Sequence, residues 1–168
     1  MTREHRRGRR QTLRFVGGAA VAAGALALGI VPSVEAQQTG PGFPQPDEKV
    51  QETLQRLFGN RPLQPAGDRI KLEAPTIAEN GSVVPIKIDA KLPMAPDNYV
   101  KHVYVIADKN RRPLNAKFTL TPESGSAALA TNVRLAATSD VRVIAEMSTG
   151  ALYEAKQEVK VTVGGCGG

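Results

Sequence analysis

Hydrophobic positions along the chain follow two regimes that meet near Pro62. From Asp47 onward, Val50, Leu54, Leu57 and Phe58 recur at spacings that share one helical face, and Gly59 can supply a left-handed stop. Asp47 is placed to cap this segment, which predicts a helix of about three turns covering one face or end of the rest of the domain. After Pro62 and Pro65 the pattern becomes alternating and stays so. Ile70, Leu72 and Ala74 alternate with charged residues, and Val84, Ile86 and Ile88 do so after an Asn80-Gly81 turn. Val103 and Val105 lie in a run that is apolar on both faces. Ala116, Phe118 and Leu120 follow the turn from Asn110 to Pro113. Leu129, Val133 and Leu135, then Val141, Val143 and Met147, then Val159, Val161 and Val163 complete the series.

Short strands separated by Gly, Pro and Asn turns, with no helical segments between them, favour an antiparallel sandwich over a parallel α/β sheet. The expected fold is all-β: an immunoglobulin-like antiparallel β-sandwich of about seven strands with one N-terminal helix. Pro85 lacks the N–H that a central strand donates, so its strand is expected at an edge. The chain has no tryptophan and only 4% aromatic residues, so Val, Ile, Leu and Ala must build the core.

Charge changes the picture only after it is divided along the chain. The net charge is +6, but the first 36 residues hold six arginines against two glutamates, which leaves the remainder close to neutral. The basic face expected of a nucleic-acid binder is therefore missing. The arginines precede an apolar stretch, Phe15 to Val34, that is interrupted by Gly17, Gly18, Gly24 and Gly29 and followed by the cleavage-like Val34-Glu35-Ala36. Residues 1–36 thus read as an export signal that is removed, rather than as a stable membrane anchor. Arg9-Arg10-Gln11-Thr12-Leu13-Arg14 resembles a twin-arginine motif, with Thr12 where phenylalanine is usual. Either export route implies the periplasm. Residues 37–46, rich in Gln, Gly and Pro, read as a flexible leader, and 47–163 as the helix plus sandwich.

Cys166 is the single cysteine, so no disulfide can form within the chain. It follows the Val161-Thr162-Val163 strand end and is flanked by Gly164, Gly165, Gly167 and Gly168. Structural cysteines are usually packed among bulky apolar neighbours, which these glycines do not provide. Residues 164–168 therefore read as a flexible arm that could carry a thiol into recessed sites on other proteins. No helix N-terminus or basic cluster adjoins the thiol in sequence, so it reads as an acceptor activated by a partner's pocket and not as a catalyst by itself.

The Gly164-Gly165-Cys166-Gly167-Gly168 ending resembles that of the SoxY family of sulfur-oxidation carrier proteins. The resemblance extends through Glu79-Asn80-Gly81, Val84-Pro85-Ile86, Pro93-Met94, Lys109-Asn110-Arg111-Arg112-Pro113, Phe118, Pro122 with Gly125, Arg134-Leu135, Ala145-Glu146-Met147 and Val159 to Val163. It implies a non-catalytic subunit with an immunoglobulin-like fold, paired with the small β protein SoxZ, that holds sulfur intermediates covalently on Cys166. In that scheme the c-type cytochrome pair SoxXA joins thiosulfate oxidatively to Cys166 as a cysteine S-thiosulfonate. The thiosulfohydrolase SoxB releases sulfate, and the sulfane dehydrogenase SoxCD, where present, oxidises the remaining sulfur. The resemblance implies no metal or other cofactor on the carrier, and it also implies Cys166-linked dimers.

Other chemistry finds less support. Cys166, His102, Met94 and Met147 could supply soft ligands to copper(I), but their spacing matches no known site, and His102 and Met147 read as ordinary strand and core residues. A hydrolase lacks a partner set, with no Gly-x-Ser-x-Gly pattern. Asp97, Asp108, Glu123 and Glu146 are taken as surface acids. The rival from another class is an exported adhesion or chaperone-like sandwich without covalent chemistry.

Overall fold

The computed structural model describes residues 46–163. The export signal and the arm lie outside the described residues, as does all of the leader except Pro46.

The helix α1 (Val50–Phe58) forms where its apolar spacing predicted, but it is shorter and capped differently. Lys49, not Asp47, is the boundary residue, and its N–H donates to the Glu52 carboxylate at 2.9 Å. Asp47 sits too far upstream to reach the free N–H groups of the first turn. Its carboxylate instead accepts from the Arg111 guanidinium at 2.7 Å. Glu48 pairs with Arg56, whose guanidinium lowers the carboxyl pKa to about 2. Gly59 ends the helix at φ 60°, its N–H returning to the Gln55 carbonyl at 2.8 Å.

Ten strands come after it among the described residues: β1 (Leu63–Pro65), β2 (Ile70–Glu73), β3 (Ile77–Asn80), β4 (Val84–Ala90), β5 (Met94–Ala95), β6 (Asn98–Ala107), β7 (Leu114–Thr119), β8 (Ala127–Val133), β9 (Ser139–Met147) and β10 (Leu152–Val163). The seven that alternation predicted are all present; β1, β3 and β5 are additional. The larger sheet runs β10–β9–β6, with β1 and then β3 pairing one after the other along β10 and with β5 and β7 pairing along β6. The pairings of β10 with β9 and of β6 with its three neighbours are antiparallel, whereas β1 and β3 run parallel to β10. The smaller sheet has the order β2–β4–β8, antiparallel throughout.

The strand bearing Pro85 is thus central, which corrects the edge expectation. The proline is tolerated because β2 pairs only with Lys87 to Ala90, so the strand has a single neighbour, β8, at Pro85.

The two sheets pack face to face. Ile70, Val84, Ile86 and Ile88 of the smaller sheet share a core with Val103, Val105, Val141, Val143 and Val159 of the larger one, and all are buried. Each such side chain contributes roughly 1.5–3 kcal/mol through burial. The opposite face of the larger sheet is covered by α1, with Val50 and Phe58 packing on Tyr104, Ile106, Ile144 and Leu152. Both faces of β6 and β9 are therefore apolar, which is why the run through Val103 to Ala107 does not alternate.

Candidate functional site

Cys166 and its four glycines lie outside the described residues, so what the structure defines is the root from which they extend. β10 is held by β9 as far as Val159, and from Lys160 onward β3 takes over in parallel register, with Lys160 opposite Ile77 and Val163 opposite Asn80. The Lys160 N–H donates to the Thr76 carbonyl at 3.0 Å, the Val161 N–H to Thr138 Oγ1 at 3.0 Å, and the Thr162 hydroxyl to the Glu79 carbonyl at 2.9 Å. Gly81 closes the clamp. Its N–H donates to the Val163 carbonyl at 2.8 Å, and its own carbonyl accepts the Leu135 N–H at 2.7 Å. Asn80 shapes that turn by accepting the Ser82 N–H on its side-chain oxygen at 2.8 Å. The strand leading to the arm is thus hydrogen-bonded up to its last described residue.

This end of the sandwich also has an apolar rim. Ile77 is 59% exposed, Val83 60% and Val163 64%, and these are the large exposed apolar side chains among the described residues. In the parallel ladder Ile77 shares a face with Lys160, whereas Val163 shares the other with Asn80, so apolar surface lies on both sides of the root. A protein partner closing around the root would remove it from water.

The other residues singled out in the sequence do not converge. Met147 is buried in the core between the sheets, and Met94 packs partly against that core. His102 is on β6 on the same face as Tyr104, the face that α1 covers, with ring centroids 5.9 Å apart. The His102 Nδ1 lies 3.2 Å from Thr119 Oγ1. Burial, reinforced by Lys117, lowers its pKa and favours the neutral ring. No group of three His, Cys, Asp or Glu side chains among the described residues could hold a metal ion.

Two acids taken as surface residues belong instead to ion-pair networks on the outer face of the larger sheet. Arg142 makes a two-pronged pair with Asp108 at 2.6 and 2.7 Å and reaches Glu154 at 2.8 Å. The Asp108 hydrogen bonds, opposed by burial and aided by Glu154, raise the Arg142 pKa further. Glu146 accepts from Arg61 at 2.7 Å and from the Tyr104 hydroxyl at 2.8 Å. Burial works against its charge, but Arg61 and Tyr104 together hold its carboxyl below the ordinary value. Glu123 is held low by the Thr121 hydroxyl, and Asp97 has only a weak backbone contact from Ser148. Asp108, Glu146 and Glu154 on this face are each paired with an arginine, so the networks fasten strands to one another.

A two-sheet sandwich in which the last strand is clamped at one end and runs directly into a glycine-flanked cysteine defines the class of protein. The sequence model of the SoxY family, described as sulfur oxidation protein SoxY, matches residues 54–166, and the chain belongs to that family. Among solved structures, the sulfur carrier protein SoxY from Chlorobium limicola f thiosulfatophilum is 30% identical, with 68% of this chain and 97% of that one covered and a TM-score of 0.56. A variant of the superoxide reductase (neelaredoxin) from Ignicoccus hospitalis is 13% identical over 66% of this chain and 87% of its own, with a TM-score of 0.50. That similarity is one of fold alone. No curated protein matches the sequence.

Proposed function

We propose that this protein is a periplasmic sulfur carrier, not an enzyme, which holds oxidised sulfur covalently on Cys166 and presents it to partner enzymes. The observation that carries this reading is the extent of the family match, which runs from the helix through the whole sandwich and ends on Cys166 itself. Residues 1–36 direct export through the twin-arginine route, and 164–168 act as the arm.

Thiosulfate is joined to the Cys166 sulfur by a new S–S bond. The thiol proton is released and an electron pair passes to a c-type cytochrome pair, the counterpart of SoxXA. Hydrolysis by the counterpart of SoxB frees sulfate, and a sulfane dehydrogenase of the SoxCD type oxidises the sulfur left on Cys166. SoxZ is the stable partner. The clamped root suits this role because it fixes where residues 164–168 begin, and glycines beside Cys166 add little bulk to hinder entry into narrow active sites. The apolar rim around the root gives an enzyme a surface to close on while the arm is inside it.

Alkylation of Cys166 with iodoacetamide tests the reading. Thiosulfate-dependent electron transfer by the reconstituted system is expected to fall to the level without carrier, while the fold, read by circular dichroism, stays intact. Undiminished electron transfer by the fully alkylated protein would refute it.

A further inference from the structure

Asparagine followed by glycine is the pair in a polypeptide most prone to lose its side-chain amide, because a residue without Cβ leaves its backbone nitrogen open to attack the neighbouring amide carbon. Of the asparagines in this chain, only Asn80 precedes a glycine. That pair is also the turn that closes on the end of β10.

The fold sets the two reacting groups in opposite states. Asn80 is exposed, and its Oδ1 accepts the Ser82 N–H at 2.8 Å, which draws electron density from Cγ and makes that carbon the better electrophile. Gly81 is buried, and its N–H donates to the Val163 carbonyl at 2.8 Å. A nitrogen whose proton is held by a carbonyl yields that proton slowly, so the nucleophile is blocked for as long as the bond to Val163 is made. Val163 and Thr162 are both exposed, so this end of the strand can open without disturbing the core.

We propose that Asn80 is a site of spontaneous deamidation whose rate is set by the clamp on β10, and that the isoaspartate formed there releases the clamp. The Gly81 nitrogen bonds to the Asn80 Cγ, the bond from Cγ to the side-chain nitrogen breaks, and the Gly81 proton leaves with that nitrogen as ammonia. Water then opens the cyclic imide at either carbonyl, giving aspartate or isoaspartate. In the imide Gly81 has no N–H, so the donor to the Val163 carbonyl is gone. Aspartate restores it, with a carboxylate in place of the amide to accept from Ser82. Isoaspartate routes the main chain through the former side chain and adds a methylene, which moves Gly81 out of register with both Val163 and Leu135. The clamp is thereby kept in one product and lost from the other. This chemistry is independent of what Cys166 carries.

Incubation of the full chain in mildly alkaline buffer, followed by peptide mapping with mass spectrometry and an isoaspartate-specific methylation assay, tests the proposal. Conversion is expected at Asn80 before any other asparagine. It should be at least about tenfold slower in the folded chain than in the chain unfolded by urea at the same pH, since attack waits for local opening. Thr162→Val, which deletes the hydroxyl that donates to the Glu79 carbonyl, should speed conversion several-fold in the folded chain and leave it unchanged in urea. Circular dichroism verifies that this variant is folded. The isoaspartyl form, separated by ion-exchange chromatography, should lose hydrogen-exchange protection at Gly81 and Leu135 while β9 stays protected. Asn80→Asp, which matches the other product, should keep protection at both. Conversion as fast in the folded chain as in urea, a Thr162→Val variant no faster than the parent, or an isoaspartyl form as well protected at Gly81 as the parent would overturn the proposal. So would an Asn80→Asp variant that loses protection as fully as the isoaspartyl form.

Discussion

Arg142 shows how charged side chains are accommodated in a strand that is buried on both faces. Its guanidinium, Asp108 and Glu154 are each less than a fifth exposed, so removing the arginine strands two carboxylates in a poorly solvated position. Arg142→Ala is expected to cost about 2–4 kcal/mol of folding stability, read as a lowered urea midpoint. Asp108→Asn, which keeps the acceptor shape, should cost less. None of this network is legible along the chain, because Arg142 and Asp108 stand 34 positions apart and Arg61 and Glu146 stand 85 apart. Alternation marks those residues as outward-facing, which on most sheets means solvated. The helix packed on that face makes the difference. Asp47 departs from its expected capping role for a related reason, since a local rule competes with a long-range arginine, and Arg111 wins.

Strands such as β4 and β8 are readable from their period alone, because one side chain in two enters the core between the sheets. β1, β3 and β5 are not, being two to four residues long and defined by their neighbours rather than by pattern. The first half of β10 is equally hard to read. Its Glu154 to Glu158 stretch mixes charged and small residues, and the strand is recognisable only through its ladder to β9. The arm behaves in the opposite way: a cysteine among glycines announces itself, whereas its clamp comes from Thr76 to Gly81, far away in sequence. If that clamp confines motion to the glycines, replacing Gly164 and Gly165 by valine should slow turnover with the partner enzymes several-fold, through stiffness and bulk. Reactivity of the thiol towards a small alkylating reagent should stay within about twofold of the parent, since the thiol remains accessible. Equal loss in both assays would show instead that the substitution hides the cysteine.

At the scale of the whole molecule, the described residues form a sandwich that holds the strand leading to Cys166. The larger sheet is covered on both faces, by the smaller sheet and by the helix, and Asp108, Glu146 and Glu154 on its outer face are paired with arginines. The end holding the last strand carries the large exposed apolar side chains among the described residues. Among the described residues the groups singled out for chemistry do not converge, and the sandwich fixes where residues 164–168 begin. Membership of the SoxY family, with a match that ends on Cys166, gives that arm its cargo in the proposed function. Intact-mass spectrometry of the purified protein after incubation with thiosulfate and the partner cytochrome pair tests this most directly. The account predicts a thiosulfate-sized increment on the parent protein and none on a folded Cys166→Ser variant. An increment that persists on the serine variant, or a parent protein that never gains mass while the cytochromes are reduced, would contradict it.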